Sequence, residues 1–196
     1  MKLSDGEKLI LLMLTELYEK LDVNGEIEPE FIRSAIFSDK TWSIPWKYVG
    51  IPFEDQNTPP VVKEVLDILD MWSFIEYSYS RLNDEEKSIL VKMSDVFGKN
   101  PKFKGFDGNH ETEYMSTAMF LVNDLDRFSE FKGRDFNSHM SVVDAYSRML
   151  EKYSPIVDRS YHEPLTPEQL AEILNEQIHP SNRKWHNKNL KLDGTT

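Results

Sequence analysis

Residues 58–82 read TPPVVKEVLDILDMWSFIEYSYSRL, and this stretch decides the fold. Val62, Val65, Leu66, Leu69, Trp72, Ile75 and Tyr79 recur every three or four positions, the period of one face of an α-helix. Thr58 and Pro59 give a capped start with proline in the first helical position, and Glu64 and Asp67 sit toward the positive end of the helix dipole. At about 1.5 Å per residue such a helix spans a small domain, so it is expected to be the central column.

The same period extends on both sides. Helices are expected near residues 4–21, 29–37, 84–93, 109–131, 138–153 and 166–178. Ser4 and Glu7 form an S-x-x-E capping box, and Ile10, Met13, Leu14, Leu17 and Leu21 follow as an apolar stripe expected to be buried. Asn24-Gly25 is expected to close that helix. Residues 38–57 break the pattern: Trp42, Trp46, Tyr48 and Phe53 lie among Pro45, Gly50 and Pro52, which predicts a loop. No alternating strand pattern of useful length appears. The fold class is all-α, a compact single domain of six or seven helices over residues 1–178. Residues 179–196 read as a basic, flexible tail carrying Arg183, Lys184, Lys188 and Lys191.

Composition narrows the function classes. In 196 residues, 23 Lys+Arg stand against 34 Asp+Glu, a formal net charge of −11, which handicaps binding to phosphate backbones. Hydrophobic content of 39% is too high for a disordered chain. The chain has no cysteine, which removes disulfides, thiolate metal sites and cysteine nucleophiles, and fits a reducing compartment. The longest apolar run, Leu9 to Leu14, falls far short of the roughly 20 residues that cross a bilayer. Acidic residues where a secretory leader needs positive charge point to a cytoplasmic address.

Several strings carry a resemblance. Gly105-Phe106-Asp107-Gly108-Asn109-His110-Glu111-Thr112-Glu113-Tyr114, with Phe120-Leu121-Val122-Asn123 after it, resembles the YfbU-like family of bacterial proteins. Tyr146-Ser147-Arg148-Met149-Leu150 and Leu165-Thr166-Pro167-Glu168-Gln169-Leu170 look like its later helices. Leu3 to Leu14 and Ile68 to Trp72 are similar in pattern, so the resemblance covers nearly the whole chain. It implies a soluble helical cytoplasmic protein, with no agreed biochemical activity. No catalytic or binding residue therefore transfers with it.

The best constellation for chemistry is Asp107, His110, Glu111 and Glu113 at a loop-to-helix junction, since carboxylates and imidazole are ligand types for divalent transition metals. It lacks the second histidine of H-E-x-x-H, because position 114 is Tyr. Capping is the stronger reading, with Asn109 as the cap and Glu111 and Glu113 in the first turn. No metal or other cofactor is assigned. No G-x-S-x-G elbow and no glycine-rich phosphate loop occurs.

Trp42 and Trp46 are candidates either for burial or for stacking on a ligand. Arg127 and Arg134 lie among Phe128, Phe131 and Phe136, but neighbouring acids favour internal ion pairs. In the tail, Arg183, Lys184 and Trp185 combine charge with a stacking ring. The sequence reading is thus a non-enzymatic interaction or regulatory protein, with a protein partner or a second copy of itself. One alternative is a metal-dependent hydrolase or nuclease using Asp107, His110 and Glu113. A weaker one is nucleic-acid binding through the tail. No membrane partner is expected.

Overall fold

Helix starts in this chain are written in prolines and reciprocal caps. In a computed structural model that describes residues 2–54, 57–160 and 163–182, these signals become eight α-helices among the described residues. They are α1 (Asp5–Lys20), α2 (Pro29–Phe37), α3 (Ile44–Lys47), α4 (Pro60–Arg81), α5 (Asp84–Ser94), α6 (Thr112–Asn123), α7 (Val143–Ser160) and α8 (Pro167–Leu174). Short 3-10 turns punctuate them, and no strand occurs among the described residues beyond an isolated bridge between Phe106 and Asn137. The architecture is all-α, with one helix more than the expected six or seven.

Three capping boxes close as N–H donors meet side-chain oxygens in both directions: Ser4 with Glu7, Asn83 with Glu86, and Thr166 with Gln169. At α4 the cap is Pro59, not Thr58, with Pro60 in the first turn and no side-chain cap. The start of α6 also moves. Its cap position is Glu111, and residues 108–110 are a turn, so Asn109 does not cap it.

The long helix is the column of the domain. Val62, Val65, Ile68, Leu69, Met71, Trp72 and Ile75 are buried along α4, which packs on α6 and α7. α8 closes the other side against α5 and α7. Phe103, Phe106, Phe131, Trp72 and Tyr146 meet ring to ring at centroid separations of 5.3–6.4 Å, mostly tilted or edge-on, in the heart of this cluster. A second, smaller cluster of Phe31, Ile32, Ala35, Ile36, Ile44 and Phe120 joins α2 and α3 to α6.

Several expected boundaries shift. The 109–131 helix is broken: α6 ends at Asn123, and Asp126 and Phe128 take left-handed φ of 52° before a 3-10 turn over Ser129–Phe131. The 138–153 helix begins later and runs through Pro155 to Ser160. The 166–178 helix stops at Leu174 and tightens into a 3-10 turn over Asn175–Gln177. α1 ends at Lys20, with Leu21 as its C-cap and Asp22 left-handed at φ 51°, rather than at Asn24-Gly25. The 38–57 segment is not all loop, since Thr41–Ser43 and α3 are helical turns with Pro45 in the first turn of α3. Arg183, Lys184 and Trp185 lie outside the described residues, which end in a 3-10 turn over Pro180–Asn182.

The largest departure is the direction in which α1 faces. It packs on the small cluster through Leu11 and Leu12, with Thr15 buried, its hydroxyl donating to the Leu12 carbonyl at 2.7 Å. Ile10, Met13, Leu14, Leu17 and Leu21, expected to be buried, are exposed.

Candidate functional site

The acidic junction resolves into architecture. The Asp107 carboxylate is buried and accepts the Asn109 N–H at 2.9 Å, lies 2.7 Å from His110 Nδ1, and accepts the Ser141 hydroxyl at 3.3 Å. Glu111 reaches across the chain: Oε1 accepts the N–H groups of Val142 and Val143, both at 2.8 Å, and Oε2 accepts that of Asp107 at 2.9 Å. One carboxylate therefore caps the open end of α7 and ties it to the loop before α6. Glu113 is exposed in the first turn of α6. Among the described residues no three His, Cys, Asp or Glu side chains are placed to share a metal ion.

The hydrogen bond from the Asn109 N–H, and next the one from the His110 side chain, hold the Asp107 carboxyl below its usual range. A carboxyl with a folded pKa below its unfolded value, about 3.9, stabilises the fold above that value and stops doing so as pH falls through the folded one. The acid limb of the stability curve should therefore be flatter in Asp107→Asn than in the wild type. Urea midpoints between pH 6 and 3 measure this, and parallel curves would remove Asp107 from the acid response.

The aromatic and arginine candidates are likewise spent on packing. Trp42 and Trp46 are half-buried and meet edge to face at 4.9 Å, with Phe120 6.1 Å from Trp42. Arg127 stacks over Trp46 at 5.0 Å. Arg134 makes a two-pronged pair with Glu76, at 2.7 and 2.9 Å, while lying over the Phe131 ring. Glu76 also accepts the Phe103 N–H at 2.9 Å, which fixes the aromatic loop on α4. Arg134 borders a shallow cleft with Met115, Met119 and Phe136 that includes none of Asp107, His110, Glu111 or Trp42.

The structure shows two further surface features. A cleft of about 880 Å³ between α4 and α7 is lined by Asp67, Asp70, Phe74, Tyr77, Glu151 and Tyr153, among others. Its signal was the 3-4-3 spacing of residues 67, 70, 74 and 77, which share one helix face. Burial first, and the neighbouring Asp67 next, raise the Asp70 carboxyl, and burial pushes the Tyr153 phenol up to about 12. A wall of this sign repels phosphate.

The other feature is the outer face of α1. Leu9 (60% exposed), Ile10 and Met13 (59%), Leu14 (46%), Leu17 (50%), Tyr18 (38%) and Leu21 (70%) stand in water along one helix. Positions 10, 14, 17 and 21 follow a 4-3-4 spacing, so they form a single seam. The opposite face, through Leu11, Leu12 and Thr15, is the one that packs. The helix is therefore apolar on two sides. Sequence periodicity found the seam but not its orientation.

A UPF0304 protein of Methanocaldococcus jannaschii is 34% identical over 116 residues, a match covering 57% of this chain and 64% of that relative. The model of the YfbU domain matches residues 1–176, every helix described above included, and the chain belongs to the YfbU family.

Proposed function

We propose that this protein is a non-enzymatic interaction or regulatory module that docks a protein partner through the outer face of α1. The observation that carries this reading is the row of seven large apolar side chains left in water. The largest apolar patch on an ordinary monomer covers about 300–600 Å² and is often functional, and seven side chains at these exposures, on the order of 100 Å² each, belong to that class. What supports a non-enzymatic role is the use of the candidate groups. Asp107 and Glu111 saturate backbone donors, and Arg134 is bound to Glu76. A cytoplasmic address belongs to the same proposal. It is supported by the cysteine-free composition, and no helix among the described residues is long and apolar enough to cross a membrane.

The test is a photo-crosslinking amino acid placed at Leu17, with the exposed polar position Glu85 as control, in cells expressing the full chain. Discrete adducts at 17 and none at 85 are expected. Equal yields at both positions would mean that the apolar face meets nothing in particular.

A further inference from the structure

We infer that the occupant of the α1 face is α1 of a second copy, laid antiparallel. The inference rests on the docking reading above and names its partner. Area is the first ground. Seven large side chains at these exposures offer on the order of 100 Å² each, close to the roughly 800 Å² per partner of a standard stable interface. A surface of one helix's length also suits a two-fold contact, in which each copy presents the same patch to the other.

Charge supplies the second ground and the orientation. The first turn of α1 carries Asp5 and Glu7; its last turn carries Lys20 beside Glu19, and Glu19 is turned to Arg33 on α2 at 2.6 Å. A parallel pair would set two acidic turns side by side. In the antiparallel register that follows, Glu7 comes within about one helical turn of the partner's Lys20, and the two helix dipoles oppose each other. With the seam at 10, 14, 17 and 21, antiparallel pairing brings residue 10 against 21 and residue 14 against 17. The seam then closes with apolar side chains facing apolar side chains throughout. The rest of the molecule resists, because each copy carries a net charge of −11. Salt, by screening that repulsion, should strengthen the dimer, whereas it would weaken binding of a basic partner.

Because the chain has no cysteine, introduced thiols are unique. Ile10→Cys and Leu21→Cys chains, mixed and oxidised mildly with diamide, should give a disulfide-linked dimer, while either chain alone gives little. Sedimentation equilibrium of the wild type should show a monomer–dimer equilibrium that tightens with salt. In Leu14→Glu/Leu17→Glu it should weaken at least roughly 100-fold, with an unchanged far-ultraviolet circular-dichroism spectrum. Efficient linkage of Ile10→Cys to itself would overturn the antiparallel arrangement. A wild-type monomer at all concentrations and salts would overturn self-association, even if photo-adducts at Leu17 with another protein kept the docking reading intact.

Discussion

Gly105→Ala is expected to lose about 4 kcal/mol of stability or more, a large share of what holds a domain of this size together. Gly105 is buried at φ +83°, a conformation that costs a side chain about 1–3 kcal/mol. The heavier penalty is space. A Cβ there would stand 1.9 Å from the Phe136 carbonyl oxygen and 2.1 Å from its carbon, and both are backbone atoms that cannot rotate away. That carbonyl accepts the Phe106 N–H at 2.8 Å, and the Phe106 carbonyl in turn accepts the Ser138 N–H at 3.0 Å. The methyl group would therefore pry apart the crossing of two segments that seats Phe103, Phe106 and Phe136 in the core. At roughly 2–4 °C per kcal/mol, the melting temperature should fall by about 8–16 °C. Gly133→Ala is the internal control: φ is +79°, but nothing lies within 4 Å of the new carbon, so only the strain of about 1 kcal/mol remains. Equal shifts in the two variants would show that the crossing yields to the added atom.

Glu111→Ala is the second large effect, at about 3 kcal/mol or a fall of roughly 6–12 °C. Three backbone N–H groups lose their acceptor at once, two of them at the open end of α7 and one in the loop before α6. Hydrogen bonds to a charged group contribute about 1.5–3 kcal/mol, and the negative charge also complements the start of α7. Glu111→Gln keeps the shape and one carbonyl oxygen, so it should fall between the wild type and the alanine variant. Thermal melts of the three proteins decide this. A loss under about 1 kcal/mol in Glu111→Ala would mean that water replaces the carboxylate without penalty.

These two residues also mark where the sequence was legible. The helical class follows from the period of residues 58–82, and the Ser4–Glu7 capping box from local spacing alone. Local spacing puts Glu111 in the first turn of a helix capped by Asn109, whereas the N–H groups it caps, at Val142 and Val143, lie more than thirty positions away, beyond local reading. Leu125 and Phe128 continue the apolar period, so periodicity alone extends α6 past its end at Asn123. In the folded chain α6 ends at Asn123, and the left-handed Asp126 and Phe128 that follow turn the segment so that Leu125 and Phe128 pack on the core. The apolar period expected over 138–153 stops short of Pro155, yet Pro155 sits within a continuous helix that runs to Ser160. For α1, a three-to-four residue period says that a face is apolar. It does not say whether the chain's own core is what covers it, and here Leu11 and Leu12 on the opposite side provide that contact.

The division of the core into a large cluster and a six-residue one also bears on how the molecule breathes. α6 is shared: Ala118, Leu121 and Val122 serve the large cluster, and Phe120 serves the small one. The lobe formed by the first three helices therefore hangs on few anchoring rings. In native-state amide exchange it should behave as a separate opening unit, released well before the column lets go. A molecule bound along its outer side would register as slowed exchange throughout that lobe, reaching amides it never touches.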